Sequence, residues 1–233
     1  GMKSGAQVPQ LYSLGCKELI KNDHVRLGLA ADEGFAIHTL GFPMPRGAFG
    51  GGWLYHLGQG LFSVGYVLGL SWKNPELDLQ EVFSEYKKHP AIQRWIRGGE
   101  VQTYGAKTIP EGGAFAIPRL HCDGALVVGD SAGLVNVRTL KGIHYAMKSG
   151  MLAGETAVDA VASGDASEAK LAAYRVRLDD SYVVKDLWRD RNFRSSFEGG
   201  LYVGLAKVVL NDVTGGGSTR PHAVPQDWRT LAR

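Results

Sequence analysis

The stretch 127–150, VVGDSAGLVNVRTLKGIHYAMKSG, concentrates residues whose types and spacing suit ligand chemistry. An apolar run opens at Gly129 into Asp130-Ser131-Ala132-Gly133. A strand ending there turns backbone N–H groups toward the carboxyl edge, where open α/β sheets bind ligands. The start of the next helix adds a positive dipole end. Asp130 can accept hydrogen bonds from a polyol, and Ala132 and Gly133 leave room for a flat group. Ala146, Gly150, Ala153 and Ala157 fall on one helical face, which suits close packing. The plain alternative is a β-turn-α unit whose aspartate is a cap and whose glycines are turns. The spelling also fits GxSxG with Ser131 at its centre, and an acid and a histidine follow in order at Asp159 and His222. The small-residue helix argues against that hydrolase reading. A second stretch, Phe49-Gly50-Gly51-Gly52-Trp53, reads by itself as a glycine-rich hairpin with core aromatics.

The elements that must position these residues come from patterning. Residues 9–22 lead into a strand, and HVRLGLA and FAIHTLGFP read as extended pieces. Residues 49–72 predict a β-hairpin around Gly58-Gln59-Gly60. DLQEVFSEYKKHP predicts an amphipathic helix with Leu79, Val82, Phe83 and Tyr86 on one face, Asp78 as cap and Pro90 beyond its end. A short helix over 92–96 stops at Gly98-Gly99, and EVQTYGAKTIP alternates as a strand. GALVVG predicts a strand buried on both faces. Thr139 to Ser163 predicts one long helix and Ser167 to about Asp190 another, with a short apolar helix or interfacial segment at 199–210. From Gly215 the tail is rich in Gly and Pro and expected to be irregular. The fold class is α/β (α+β): an antiparallel sheet, then an α/β closure.

Composition narrows the function. A formal charge of +3 over 233 residues, with Lys and Arg dispersed, excludes a nucleic-acid binder. Cys16 and Cys122 form no CxxC, so a disulfide framework, a zinc site or an iron–sulfur cluster is not encoded. A reducing compartment is expected. No apolar run reaches the ~20 residues of a membrane-spanning helix.

GDSAG after an apolar strand resembles the second FAD motif of the glutathione-reductase-type flavoproteins, in which the aspartate contacts the ribityl chain. The surroundings are more specific. Glu111-Gly112-Gly113, Ile117-Pro118, Asn136-Val137, Lys141-Gly142, His144, Ala146 to Gly150 and Glu155 resemble the hallmark strings of electron transfer flavoprotein–ubiquinone oxidoreductase. PQLYSLGCKEL, HTLGFPM, FGGGWLYHL, the run from Val67 to Lys107 and LWRDRNFRSSFEGGLYVGL continue the likeness, so about residues 9–210 are covered.

The resemblance implies that electrons pass from electron transfer flavoprotein, through FAD, to ubiquinone, with a [4Fe–4S] cluster in the relay. Gly129, Asp130, Gly133, Asn136, Gly142 and Ile143 would line the flavin, and helix 139–157 would pack beside the ring. Ile143 stands where the family commonly has a threonine that bonds the flavin. His144 is expected to be a core histidine. Phe49, Gly50, Gly51 and Trp53 would form the quinone site, and GGLYVGLAKVVL part of a membrane-facing surface. No catalytic side chain and no metal ligand is assigned.

The family's leading GxGxxG, which cradles the FAD pyrophosphate, does not occur in this sequence, nor do the four cysteines of its cluster. The chain therefore reads as an internal portion: a partial FAD-binding domain of the glutathione-reductase type with an inserted antiparallel quinone-site region. The expected parts are 8–110 (sheet and quinone site), 111–165 (second half of the FAD domain), 166–214 (C-terminal helices) and 215–233 (tail). With the FAD site incomplete, the isolated chain is expected to be soluble, inactive and empty of FAD. The parent enzyme is expected to lie peripherally on the cytoplasmic side of a bacterial inner membrane or on the mitochondrial inner membrane. The competing readings are a geranylgeranyl-reductase-type FAD enzyme and a non-catalytic binding module.

Overall fold

A computed structural model describes residues 5–6, 8–23, 34–44, 48–72, 74–197 and 200–214. The extended piece expected at 24–30 and the tail from 215 lie outside these residues. The chain divides into two units: Tyr12–Ile109, and Gly1–Leu11 together with Pro110–Arg233.

The first unit is an antiparallel sheet with two helices on one face. Its strands are β1 (Tyr12–Lys21), β2 (Phe35–Leu40), β3 (Gly50–His56), β4 (Leu61–Gly69) and β5 (Glu100–Pro110), in the order β2-β3-β4-β1-β5. The β3–β4 hairpin forms at the expected turn, where Gly58, Gln59 and Gly60 all take positive φ. Leu61 N–H then donates to Gly58 O at 2.9 Å. Helix α1 (Leu79–Lys88) is capped by Asp78, whose Oδ1 accepts the N–H of Gln80 at 2.6 Å. Pro90 does not merely follow that helix; it opens α2 (Pro90–Ile96), where its missing N–H costs nothing. Alternation sends Cys16, Ile20, Leu54, Phe62, Val64, Tyr66 and Leu68 to the helix side, against Leu79, Val82, Phe83 and Tyr86 of α1 and Ile92 and Ile96 of α2. Glu18 points the same way and, nearly buried, is held by Lys87 Nζ at 2.8 Å.

The second unit departs from expectation in three places. GALVVG is not a buried strand: only Ala125–Leu126 (β7) pairs, with His121–Cys122 (β6), and Val128 stays exposed. Among the described residues this ribbon pairs with no further strand; the helix Glu168–Asp180 packs against it, and Leu126 and Val127 lie half-buried against the core. The long helix α3 runs Ile143–Ser163 and does not begin at Thr139. Asn136 and Lys141 bridge instead, and Leu140, at φ 55°, cannot continue a right-handed helix. The expected helix from Ser167 to Asp190 is two helices, α4 (Glu168–Asp180) and α5 (Tyr182–Arg189). Ser181, extended at φ −76° and ψ 164°, ends one and caps the other. Short α6 (Phe193–Ser196) and apolar α7 (Leu201–Val213) follow. The core joins Leu134, Tyr145, Leu152 and Ala153 to Tyr174, Leu178, Val183 and Leu187.

Candidate functional site

Gly129–Ala132 is a single 3-10 turn closed by Gly133 in the left-handed region, φ 71°. Two contacts seat it. Gly129 N–H donates to Ser149 Oγ at 3.0 Å, and a Cβ at Gly129 would crowd Ala146 at 3.1 Å. Gln10 holds the other side: its Oε1 accepts Gly112 N–H at 2.6 Å, and a Cβ on Gly133 would collide with its amide. The glycines of two hallmark strings thus meet on one glutamine that the sequence does not mark as functional. Asp130 and Ser131 are exposed on the rim so formed.

Asn136 is 1% exposed and fully engaged with the protein. Its Oδ1 accepts the N–H groups of Arg138 (3.0 Å) and Thr139 (3.2 Å), and its Nδ2 donates to Asp190 Oδ2 at 2.7 Å. Arg138 donates to Asp190 at 3.0 Å and to Asp212 of α7 at 2.8 Å. Tyr145 O–H donates to Asp186 at 3.2 Å; burial pushes that phenol's pKa up. Asn136 therefore shapes the loop with its side chain, and its backbone N–H and C=O pair with Lys141.

Gly142 caps α3 with room to spare: a Cβ there would be 3.4 Å from Val135 and 3.5 Å from Asp130 Oδ1, ordinary contacts. Ile143 is 81% exposed and, with Leu140 and Met147, makes an apolar surface. His144 is not in the core; it is exposed and its ring stacks parallel to Tyr182 at 6.1 Å. The small-residue face is only partly buried. Ala153 packs inward, while Gly150 and Ala157 face out; the packed seam is Tyr145, Ser149, Leu152, Ala153, Thr156 and Ala160. An exposed carboxylate on a glycine turn and an apolar surface around Gly142 have the chemistry for a polyol and a flat ring, so these residues fit FAD's ribityl and isoalloxazine parts. No group of three or more His, Cys, Asp or Glu among the described residues could hold a metal ion.

In the sheet unit, Gly51 and Trp53 share the face away from α1 and α2, whereas Gly50 alternates to the helix side. Cβ atoms on Gly50 and Gly51 would strike the carbonyls of Val67 and Thr39, so close strand approach alone requires both glycines. Phe49, half-buried, accepts Gly69 N–H through its carbonyl at 2.7 Å. The Trp53 ring covers Gly65, and its indole N–H donates to Ser63 Oγ at 3.2 Å. On the same face His38 Nε2 and Tyr55 Oη are hydrogen-bonded at 2.6 Å, a pair unmarked in sequence because its members lie 17 residues apart. Burial raises the Tyr55 pKa.

The family profile described as "ETF-QO, ubiquinone-binding" matches residues 12–109, the bounds of the sheet unit. The mitochondrial electron transfer flavoprotein–ubiquinone oxidoreductase of Arabidopsis thaliana is 42% identical over 197 residues, covering 84% of this chain and 30% of the relative. By sequence, the chain is a relative of the electron transfer flavoprotein–ubiquinone oxidoreductases. It spans about a third of the length of such relatives, 33% for the Homo sapiens protein at 38% identity. Among solved structures, a geranylgeranyl bacteriochlorophyll reductase-like protein from Thermoplasma acidophilum superposes with TM-score 0.66 at 18% identity, covering 92% of this chain and 49% of that one. The flavin-dependent brominase Bmp2 gives 0.55 at 15%, covering 89% and 52%. At such identities the likeness shows the fold alone: a mixed helix and strand architecture shared with these two proteins. The geranylgeranyl-reductase reading is not favoured beside the closer sequence relationship to the ubiquinone oxidoreductases.

Proposed function

We propose that this chain supplies the ubiquinone-binding sheet and the flavin-side turn of an enzyme that passes electrons from electron transfer flavoprotein, through FAD, to ubiquinone. The observation that carries the reading is the match of a ubiquinone-binding profile to residues 12–109, which form a unit of their own. FAD supplies the two-electron redox chemistry when bound. The chain's own residues bind and orient. Gly129 and Gly133 set the rim, Asp130 accepts hydrogen bonds from ribityl hydroxyls, and Gly142 and Ile143 offer backbone and apolar surface to the ring. Asn136 holds the loop that carries them. Gly51 and Trp53 bound the quinone on the open sheet face; Phe49 and Gly50 fix the strand entry.

A [4Fe–4S] cluster in the relay would need four thiolates, more than Cys16 and Cys122 provide. No described helix is long and apolar enough to cross a membrane. On α7, exposed Tyr202, Leu205, Val209 and Val213 recur at helical spacing, which supports peripheral seating on a lipid surface. The relatives are named mitochondrial, so the surface would be the mitochondrial inner membrane, or else the cytoplasmic face of a bacterial inner membrane.

Two measurements test the proposal. Titrated alone, the chain should bind FAD far below one equivalent, because the pyrophosphate half of the site is not encoded in it. The FAD-loaded holoenzyme should reduce a short-chain ubiquinone with electron transfer flavoprotein as donor. Absence of that activity in a holoenzyme that still reduces a one-electron dye would overturn the quinone assignment.

A further inference from the structure

Resting on that quinone reading, we infer that His38 and Tyr55 form the proton-delivery pair for the quinone on the open face of the sheet. Register places them there. His38 lies opposite Trp53 and Leu40 opposite Gly51 across β2 and β3. Tyr55 is on the same strand face two residues beyond Trp53, and its hydroxyl reaches diagonally back to His38 Nε2 at 2.6 Å. The pair therefore meets at the level of Trp53, two residues or about 7 Å along the strand from Gly51. That interval is of the order of the span between the two carbonyl oxygens of a 1,4-quinone. A ring lying beside Trp53, one oxygen toward Gly51, puts its other oxygen at the Tyr55 hydroxyl. His38 is exposed, so it can exchange protons with water while Tyr55, half-buried, holds its own. The other charged groups of this face among the described residues, Lys17 and Lys21 on β1 and Lys107 on β5, lie beyond β4 in the sheet, and Lys21 is paired with Asp23 at 2.7 Å.

The step balances. A quinone becomes a quinol with two electrons, which come from the flavoprotein donor, and two protons. At the ring oxygen above Tyr55 the phenol O–H bond breaks as an O–H bond forms on the quinone. The Nε2–H proton of imidazolium His38 passes to the phenolic oxygen, restoring neutral Tyr55. His38 then takes a proton from water. The second ring oxygen, toward Gly51, is protonated from solvent.

The test compares Y55F, H38Q and H38A with the wild type in the FAD-loaded holoenzyme, using a short-chain ubiquinone and a ferricenium salt, which accepts electrons without protons. Turnover with quinone should fall about a hundredfold in each variant, the scale of a lost general acid. Quinone binding to the chain should change by less than about tenfold, the most a single neutral hydrogen bond contributes. Ferricenium reduction should stay at the wild-type rate, and added imidazole should restore H38A in part. Quinone turnover within about threefold of wild type in Y55F and H38Q overturns the pair's role. So does an equal loss with both acceptors, which marks a structural defect. A wild type that reduces ferricenium and never quinone overturns instead the reading on which the pair rests.

Discussion

Asn136 spends both ends of its side chain on the protein itself. With its amide and carbonyl bonded at 2.7 Å to Asp190 and 3.0 Å to the Arg138 N–H, replacement by alanine leaves a nearly buried carboxylate and two amides short of partners. Asn136→Ala should lower the unfolding free energy by about 2 kcal/mol, read as a shift of the urea midpoint at constant slope. Asp190→Ala added to it should cost less than alone, because the shared bond is already gone. The Asn-Val string was readable as a family hallmark; its structural role was not, since Asp190 stands 54 residues away. Asp130 is the converse case. Its exposure on a turn closed by a left-handed glycine could be anticipated, because Gly-Asp-Ser-Ala-Gly carries the turn's chemistry within five adjacent residues. At Gly133 a methyl group meets both a positive φ and Gln10, so Gly133→Ala should destabilise by about 1–3 kcal/mol in the same assay.

Elements whose signals are local were readable, and those that depend on partners were not. The hairpin, α1 and the α3 stop at Gly164 each follow from a turn, a cap or a left-handed glycine a few residues away. Asp78→Ala should cost about 1 kcal/mol, since that carboxylate serves the N–H groups of Gln80 and Glu81. GALVVG misled because apolarity reports burial only when neighbouring strands exist to cover it. Ser181 could have been recognised as a cap, yet the helical pattern of α4 and α5 runs through it. On α7 the outward row of Tyr202, Leu205, Val209 and Val213 sets a lipid-side prediction. Val209→Asp should weaken sedimentation with phospholipid vesicles by about tenfold or more, the loss of one buried apolar side chain, without changing helix content by circular dichroism.

Across the molecule, buried phenols set the alkaline limit. Tyr174, fully enclosed and donating to Val127 O at 3.2 Å, has its pKa pushed up to about 12 by burial, and Tyr66 and Tyr86 are raised for the same reason. A raised folded-state value means that the unfolded chain releases these protons first. Stability should therefore hold up to about pH 10, where free tyrosine ionises, and fall as pH climbs toward 12. Denaturation midpoints taken from pH 8 to 12 check this; Tyr174→Phe should flatten part of the decline. Glu18, held by Lys87 at 2.8 Å, adds a sharper dependence on a single residue. Lys87→Met should destabilise by about 3 kcal/mol by stranding the carboxylate.

Each unit happens to carry one sulfur atom able to react with a chromogenic disulfide reagent, Cys16 sealed within the sheet and Cys122 half-open on the short ribbon. Modification should accordingly proceed in two stages, a prompt equivalent from Cys122 and a delayed one from Cys16. The delayed rate clocks how often the quinone-side sheet opens, without any introduced label.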